Sequence, residues 1–477
     1  MFDVAIIGGG IIGCAVAYKL SMYDLKICVI EKENDVALGA TRANSAIIHA
    51  GFDPEPGTLM ARLNVEGTRQ TPELCRRLGV HYKNTGSLVL AFGEEDTETV
   101  NRLYDRGVKN GVPGRRVLDG RQARELEPGI SDTVTGALYA PSSGIVNPWE
   151  YAIAMAEVAA LNGCVFSLET EVSSISCENG TWLLSCGDRQ IRAKYVVNAA
   201  GVNSDLIHNM VAEPSFRTLP SKGQYWLMDK SEGKITSRTL FRCPTKAGKG
   251  VLVSPTVHGN LIVGPDASPG SRERVNTESD RLEYVKATAL ESVPGINFRN
   301  AIRTFAGIRA NTDRDDFIIG IAAPNFIDLG GIKSPGLSAA PAIADEAIRL
   351  LLDCGAELEK KENPVTDREH VVFKDQTDEK KRELIRKNPL YGRVICRCET
   401  VTEAEIVQAL RSPVPARTVD GVKRRANAGM GRCQGGFCGP RVLEIICRET
   451  GMNPLGVLKD KAGSYILYGQ TKEADNV

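Results

Sequence analysis

The sequence lacks a net charge and a long apolar segment, and each absence excludes a class of protein. Its 477 residues contain 59 Lys and Arg against 59 Asp and Glu, so no overall field favours nucleic acid or a membrane surface. No apolar run reaches the roughly 18 residues that a membrane-spanning helix needs. No basic segment precedes the apolar residues 11–20, so they do not form a signal peptide. The absences predict a cytoplasmic protein without a transmembrane segment and without a nucleic-acid partner.

Disulfide bonds are also not expected, and histidine is scarce. Nine of the 13 cysteines are scattered and are predicted to be reduced core residues. The other four cluster near the carboxyl end. The chain has five histidines, so a histidine in a loop of small residues stands out. The length predicts two or three domains with ample core.

The first thirty residues form the most informative stretch. An apolar strand runs into GGGIIG, an apolar helix over residues 11–20 follows, and a second strand ends before Glu31. Gly8 allows a tight turn, Gly10 lets the backbone approach a pyrophosphate, and Gly13 lets helix and strand pack closely. The helix N-terminus offers free N–H groups to phosphates, and Glu31 can bond a ribose hydroxyl. The pattern predicts a dinucleotide site.

Strand and helix patterns suggest one nucleotide domain that is interrupted by a second domain. Sequence patterns typical of β-α-β units lie at the start, around residues 144–211 and near 301–352. Residues 215–300 are predicted to be mostly strand. The predicted organisation is a nucleotide part at about 1–80, 144–214 and 301–355, a substrate part at about 81–143 and 215–300, a charged linker at 356–388, a small domain at 389–455 and a tail at 456–477.

Three stretches together resemble the D-amino-acid-oxidase-like superfamily of FAD-dependent oxidoreductases. They are GGGIIG, VVNAAG at 196–201, and GGIKSPGLSAAPAIA at 330–344. The resemblance implies an α/β plus α+β fold, in which a Rossmann-like FAD-binding domain is interrupted by an antiparallel substrate sheet. It also implies that the helix beginning near Gly336 aims its positive end at the flavin. The implied FAD-binding residues are Gly8, Gly10, Ile12, Gly13, Glu31, Lys32, Thr41, Asn44, Ser45, Val172, Ala200, Gly201, Gly307, Gly331, Ser334, Gly336 and Leu337.

The loop NSAIIHAGFD, residues 44–53, narrows the resemblance. It is similar to the loop of type II glycerol-3-phosphate oxidases and dehydrogenases, and to that of L-2-hydroxyglutarate dehydrogenases. The resemblance implies that His49 is the catalytic base and that Ser45 lies beside the flavin. Independently, oxidising a secondary alcohol needs a base for the hydroxyl proton, and an imidazole suits this at neutral pH. A structural histidine is the alternative.

A small anionic substrate is the predicted partner of Arg309. The superfamily places an arginine after a G-x-R turn to hold the substrate's anionic group, and a guanidinium suits a phosphate or a carboxylate. The alternative is a salt bridge to one of three aspartates, Asp313, Asp315 or Asp316. Lys333 and His258 are weaker candidates for the same pocket.

Four late cysteines predict a metal centre. Cys396 and Cys398 form CxC, and Cys433 and Cys438 lie in GRCQGGFC. This pattern resembles the bacterioferritin-associated-ferredoxin-like [2Fe–2S] domain, which is small and helical. Four thiolates also suit structural zinc, although zinc sites more often use CxxC pairs.

A flavin domain followed by such a module resembles the large subunit of anaerobic glycerol-3-phosphate dehydrogenases. A one-electron cluster implies a dehydrogenase that feeds a redox partner subunit, with membrane association only through that partner. Two alternatives stay open. One keeps the flavin chemistry for a 2-hydroxy acid, such as L-2-hydroxyglutarate, or an amino or imino acid. The other is an electron-transfer subunit without its own substrate.

Overall fold

The computed structural model describes residues 1–244 and 250–470, and these divide into two compact units. The first unit comprises Met1–Ile30, Ala37–Ser167 and Glu171–Arg368. The second comprises Glu31–Val36, Leu168–Thr170 and the described residues from Glu369 onward. Residues 356–388, predicted to be a linker, are therefore divided between the units. The predicted domain boundaries stay predictions, and residues 471–477 of the predicted tail lie outside the described part.

An eight-stranded sheet carries the first unit, and its centre is parallel. β1 (Phe2–Ile7) pairs in parallel with β2 (Ile27–Ile30) on one side and with β12 (Arg189–Asn198) on the other. The last four residues of β1 and all of β2 are buried, which explains their continuous apolar sequence. The strands in spatial order are β10 (Ser174–Glu178), β11 (Thr181–Cys186), β12 (Arg189–Asn198), β1 (Phe2–Ile7), β2 (Ile27–Ile30) and β9 (Val165–Ser167), with β20 (Phe326–Gly330) beside β12 and β19 (Ile318–Ala323) beside β20.

Two helices of the first unit begin where their capping residues predict. Thr58 accepts a hydrogen bond from Ala61 N at the start of α2 (Leu59–Arg77), and Asn147 caps α5 (Pro148–Leu161), with Pro148 in the first position. Gly67 lets α2 and α8 pack closely, because a Cβ there would lie 2.2 Å from Ser338 O. The helices are α1 (Ile11–Leu20), α2 (Leu59–Arg77), α5 (Pro148–Leu161), α6 (Ser204–His208) and α8 (Gly336–Asp353).

A nine-stranded sheet forms the second layer of this unit. Neighbouring strands are antiparallel except β14 and β5, which run parallel. Residues 301–309, which the sequence assigns to the nucleotide part, form β18 in this sheet. The strands are β17 (Ser268–Pro269), β13 (Ser221–Met228), β16 (Leu261–Gly264), β15 (Leu252–Pro255), β14 (Thr239–Arg242), β5 (Ser87–Ala91), β7 (Gly136–Ala140) and β6 (Arg116–Asp119), with β18 (Ala301–Arg309) beside β13.

One helix departs from the predicted strand content of residues 215–300. α7 covers Ser279–Ser292, and it buries Leu282, Val285 and Ala289 against the nine-stranded sheet. These positions follow helical spacing rather than alternation. The other helices near this sheet are α3 (Glu94–Lys109) and α4 (Gly120–Leu126).

A small three-stranded sheet holds the loop that carries His49. β3 (Ile47–Ile48) pairs with β8 (Gly144–Val146), which also pairs with β4 (Tyr82–Lys83). Because His49 follows β3 directly, its backbone direction is fixed by this sheet.

The second unit is mainly helical and contains a two-stranded sheet. Buried Asp35 accepts hydrogen bonds from the guanidinium groups of Arg424 and Arg425. Burial alone would raise the pKa of Asp35, but the Arg425 and Arg424 charges outweigh it and lower that pKa. The elements are β21 (Val394–Cys396), β22 (Val401–Thr402), α9 (Asp378–Lys387), α10 (Glu403–Leu410), α11 (Val419–Ala426) and α12 (Gly439–Thr450).

Within residues 1–244 and 250–470, no helix is both long enough and apolar enough to cross a bilayer.

Candidate functional site

The glycine turn after β1 has the shape that a dinucleotide needs. Gly8 has φ +109°, and a Cβ there would lie 2.4 Å from Ala199 O. A Cβ on Gly13 would lie 1.9 Å from Gly8 O. Around Gly10, however, a Cβ would meet only Thr41 Oγ1 within 4 Å, at 3.5 Å. Two glycines therefore serve close packing, whereas the space around Gly10 is open, and its contact with a pyrophosphate stays a prediction.

Thr41 supports the same turn from the loop after β2. Its Oγ1 accepts a hydrogen bond from Ile11 N at 2.9 Å, at the first residue of α1. Asn44 closes this loop, since its Nδ2 donates to Thr41 O at 2.8 Å and its Oδ1 accepts from Ala46 N at 2.8 Å. The loop is thereby held against the start of α1.

A buried polar network fixes the turn after β12. Asn198 Nδ2 donates to Asp328 Oδ1 at 2.8 Å, and His208 Nδ1 lies 2.6 Å from Asp328 Oδ2. Burial raises the pKa of Asp328, against the hydrogen bonds from Asn198 and His208. Asn198 Oδ1 also accepts from Ala200 N at 3.3 Å. Next along the chain, Gly201 has φ +59° and open space at its Cβ position, and its contact with the cofactor stays a prediction.

His49 is held by two contacts to the segment that begins α8. Its Nε2 lies 3.3 Å from Ser334 Oγ, and its backbone N–H donates to Ser338 Oγ at 2.8 Å. The imidazole stacks on Phe241 with ring centroids 5.6 Å apart. The structure therefore joins the predicted base to one of the three sequence stretches that resemble the superfamily, residues 330–344.

Ser45 faces the nine-stranded sheet. Its Oγ lies 3.2 Å from the hydroxyl of Tyr225 in β13. The Tyr225 ring is buried and stacks on Phe305 of β18, with centroids 4.7 Å apart and ring planes within 8°. The predicted flavin-side serine is thus connected to a rigid aromatic pair.

Arg309 ends β18 with its charge uncompensated. Its guanidinium donates to Asp266 O at 3.0 Å and makes longer contacts with Ser221 Oγ and Lys222 O. Among the described residues, no carboxylate lies within ion-pair distance of it, so the three-aspartate alternative is not realised. Asp316 instead accepts from two N–H groups at the start of α2, and Asp313 accepts from Arg217 N.

Gly223, on the strand that pairs with β18, leaves room for the guanidinium of Arg309. A Cβ on Gly223 would lie 2.3 Å from Arg309 Nη2. The side chain therefore folds across the backbone of β13, which leaves the guanidinium only half-buried. This arrangement suits an anion that approaches from the open side.

The two weaker substrate candidates lie in other surroundings. Lys333 Nζ donates to Arg314 O at 3.1 Å. His258 occupies the turn between β15 and β16, where its Nε2 lies 3.0 Å from Asn147 Nδ2. Their substrate roles stay predictions.

His258 belongs to a cluster that the sequence does not reveal. Its ring lies 4.8 Å from the ring of His81, and His81 Nδ1 lies 3.0 Å from Glu150 Oε2. Burial of Glu150 would raise its pKa, but the hydrogen bond and charge of His81, with Arg368 and His258, lower it to about 2. In the described part of the chain, this is the one trio of His, Cys, Asp or Glu ligand atoms within 4.8 Å of one another.

Other predicted FAD residues occupy backbone turns or packed positions. Gly331 has φ +63° in the turn before α8, and Gly336 begins that helix. A Cβ on Gly307 would lie 1.9 Å from Ala43 O, so this glycine holds β18 against the loop of Thr41. Glu31 Oε1 accepts from Glu33 N at 2.9 Å within the second unit. The remaining predicted residues are Ile12 in α1, Lys32, Val172, Ala200, Ser334 and Leu337, and their contacts with the cofactor stay predictions.

The four cysteines of the second unit converge. The Sγ atoms of Cys396 and Cys398 are 3.8 Å apart, and those of Cys398 and Cys433 are 3.9 Å apart. A Cβ on Gly431 would lie 2.4 Å from Cys398 Sγ, so glycine is required beside the sulfurs. No three of these Sγ atoms fall within 4.8 Å of one another. Four thiolates gathered in this way are the donor set of a [2Fe–2S] cluster, and structural zinc also takes four.

The thiols differ in acidity. Backbone N–H groups of Phe437 and Gly435 lower the pKa of Cys433. Burial and the neighbouring thiol of Cys396 raise the pKa of Cys398 to about 11. Because metals bind thiolates, loading this centre must release protons.

Comparisons with known proteins agree with both units. Residues 3–350 match the FAD dependent oxidoreductase family, and residues 394–448 match the BFD-like [2Fe–2S] binding domain. The chain is 48% identical over 476 residues to a glycerol 3-phosphate dehydrogenase of Caloramator mitchellensis, across 99% of both chains. It is 34% identical over 362 residues to a glycerol 3-phosphate oxidase of Mycoplasma genitalium, which spans 73% of this chain and 94% of that protein.

A solved structure gives the same result. L-alpha-glycerophosphate oxidase from Mycoplasma pneumoniae, reduced with dithionite and with FAD bound, has a TM-score of 0.74 at 34% identity. The alignment covers 78% of this chain and 99% of that one.

The parallel sheet, the glycine turn and the second antiparallel layer define a flavin-dependent oxidoreductase. The chain belongs to the FAD-dependent oxidoreductase family, and it adds a BFD-like [2Fe–2S] domain after it. FAD and a [2Fe–2S] cluster are its cofactors, so the predicted fold class and cofactors are confirmed.

Three residues that contact the predicted site side chains were not predicted from the sequence. Tyr225, Phe241 and Ser338 contact the predicted serine or histidine, yet they lie in ordinary strand or helix patterns. Of the three, only Ser338 lies close to a sequence motif, since it follows the Ser-Pro-Gly turn at residues 334–336. The two aromatic residues come to the site through sheet pairing, which no local motif encodes.

Proposed function

We propose that this protein oxidises sn-glycerol 3-phosphate to dihydroxyacetone phosphate and passes the electrons outward through its [2Fe–2S] cluster. The observation that carries the proposal is the 48% identity to a glycerol 3-phosphate dehydrogenase over 99% of both chains. The positions of His49 and Arg309 in the first unit support it.

His49 is the proposed catalytic base. It takes the proton of the substrate C2 hydroxyl as hydride leaves C2, and the two departures together turn the alcohol into a ketone. The contact with Ser334 Oγ and the stacking on Phe241 restrict the ring's rotation. Bound flavin supplies the hydride acceptor and can release the two electrons one at a time.

Arg309 is the proposed phosphate anchor. All three of its observed contacts are with neutral oxygens, so its charge is available to a substrate anion. A charge-assisted contact of this kind also orients the substrate relative to His49.

A redox partner follows from the one-electron chemistry of the cluster. Each substrate oxidised yields two electrons, which leave the cluster in two separate transfers. We infer a partner subunit or carrier protein that accepts them. A cytoplasmic location, and membrane association through the partner, stay predictions.

A substrate panel tests the proposal. Pure enzyme is mixed anaerobically with glycerol 3-phosphate, L-2-hydroxyglutarate, or one of several amino and imino acids, and flavin absorbance is followed. Bleaching by glycerol 3-phosphate at the lowest concentration supports the assignment. Bleaching by a carboxylate substrate instead would reassign Arg309 to a carboxylate. Tight FAD with no bleaching by any compound would make this an electron-transfer subunit.

A further inference from the structure

The cluster centre of the second unit has a buried side and an exposed side. Cys396 is 1% exposed and Cys438 is 2% exposed, whereas Cys398 and Cys433 are exposed. Electrons leave most readily from the side where a partner can approach the sulfurs closely. The ligand pair Cys398 and Cys433 therefore marks the exit face.

Phe437 projects from this face. Its side chain is 78% exposed, although a large apolar side chain normally avoids water. Its backbone N–H bonds the Cys433 thiol, so the residue is anchored at the cluster while its ring stays outside. An exposed aromatic residue in this position resembles the anchor of a protein interface.

The segments that carry the cluster ligands have an excess of positive charge. The two segments that carry the ligands, residues 392–400 and 428–441, contain four arginines, and all are exposed. Their one acidic residue, Glu399, is 4% exposed and lies 3.6 Å from Lys374 Nζ. The whole chain has no net charge, so this basic face is local. The arginines are Arg393, Arg397, Arg432 and Arg441. Two of them also make ion pairs, Arg393 with Glu403 at 3.5 Å and Arg441 with Glu444 at 2.7 Å.

We propose that this exit face docks a small protein that carries a one-electron centre and has an acidic surface, with Phe437 as the apolar anchor and the arginines as the charge complement. The proposal rests on the proposed function, because the dehydrogenase must deliver electrons. One electron passes per encounter from the reduced cluster to the partner's oxidised centre, and no bond or proton changes. Two such encounters therefore remove the two electrons that the oxidation of one substrate molecule releases. The arginines raise the encounter rate, and salt weakens their effect.

The experiment compares protein and small acceptors with the holoenzyme. The acidic probe is a soluble cytochrome b5 fragment, the basic probe is cytochrome c, and ferricyanide is the small acceptor. Glycerol 3-phosphate is the donor. Phe437→Ser should lower kcat/KM for cytochrome b5 by about tenfold or more, and leave ferricyanide reduction and flavin bleaching unchanged. The matched control is Tyr468→Ser in the same unit, because Tyr468 is 94% exposed and should be silent.

Charge is tested separately. Arg397→Gln should raise KM for cytochrome b5 several-fold and flatten its dependence on salt, whereas Arg382→Gln, on the exposed face of α9, should not. Wild-type enzyme should reduce cytochrome b5 faster than cytochrome c at low salt.

Three results would overturn the docking proposal. They are equal rates with both cytochromes at all salt concentrations, wild-type rates for Phe437→Ser with cytochrome b5, and an equal loss with ferricyanide, which would indicate a disturbed cluster. Absence of flavin bleaching by glycerol 3-phosphate is a different outcome, because it removes the proposed substrate. In that case the cluster is reduced beforehand with a limited amount of dithionite, excess reductant is removed anaerobically, and mixing the reduced enzyme with each acceptor gives the same comparison of variants.

Discussion

His49 Nε2 lies 3.3 Å from Ser334 Oγ, which joins a loop of small residues near the amino end to the turn that begins α8. The backbone N–H of His49 reinforces this link by donating to Ser338 Oγ at 2.8 Å. An imidazole held at both its ring and its backbone is suited to one fixed task. The task that we propose for it is proton abstraction from the substrate hydroxyl.

His49→Ala should slow flavin reduction by glycerol 3-phosphate by about 10²- to 10⁴-fold, because a positioned base contributes about this much. FAD content should not change. Ser334→Ala is the matched comparison and should cost much less, since it removes only an orienting contact. Stopped-flow absorbance under anaerobic conditions measures both. Equal rates for His49→Ala and wild type would remove His49 from the mechanism.

Arg309→Gln should raise KM for glycerol 3-phosphate by about ten- to a hundredfold, because a hydrogen bond to a charged group contributes about 1.5–3 kcal/mol. Arg303→Gln provides the control, as it changes an exposed arginine of the same strand, β18. Steady-state kinetics distinguish the two. If both variants behaved alike, the anion would bind elsewhere.

Two glycines of the same turn should respond differently to alanine. Gly10→Ala should fold and lose FAD, because its Cβ meets only Thr41 Oγ1 and points into the ligand space. Gly13→Ala should fold poorly, because its Cβ would lie 1.9 Å from Gly8 O. Yield, thermal unfolding and flavin content separate these outcomes. A Gly10→Ala enzyme with full flavin content would contradict the predicted pyrophosphate site.

Acid should weaken the first unit through Glu150. Its pKa falls from 4.5 to about 2 in the folded protein, so the charged form is favoured by folding. The stability that this provides is present above pH 4.5 and is lost as the pH falls from about 4.5 to 2. Urea unfolding midpoints over that range should fall less steeply for Glu150→Gln, which should also be less stable at pH 7. An identical pH dependence for the variant and wild type would refute this assignment.

The cluster should depend on Gly431 as well as on the cysteines. Cys433→Ser removes a ligand, and Gly431→Ala places a methyl group 2.4 Å from Cys398 Sγ. Both should lower iron content while FAD stays bound in the first unit. Gly439→Ala is the control, because its Cβ position is open. Full iron content in the Gly431→Ala protein would mean that the loop can shift to accommodate the methyl group.

Local patterns predicted the elements that carry local signals. The apolar run after GGGIIG predicts a helix over residues 11–20, where α1 lies, and Asn147 with Pro148 marks the start of α5. α7 was missed, although Leu282, Val285 and Ala289 follow helical spacing. The charged residues between these positions make the helical periodicity of the apolar residues hard to recognise.

Long-range pairing could not be predicted. Tyr225 reaches Ser45 from 180 residues away, and it does so because the register of β13 turns its ring towards the loop. The uncompensated charge of Arg309 likewise depends on Asp313 and Asp316 bonding to backbone N–H groups elsewhere. These contacts depend on how distant segments pair in the folded backbone, so no local sequence motif encodes them.

The most direct measurement adds glycerol 3-phosphate to the holoenzyme without oxygen and without an acceptor, and follows flavin absorbance together with the paramagnetic resonance of the cluster. We predict that the flavin bleaches and that the signal of a reduced [2Fe–2S] cluster appears with it. A flavin that stays oxidised, or a bleached flavin beside a cluster that never receives an electron, would contradict the account.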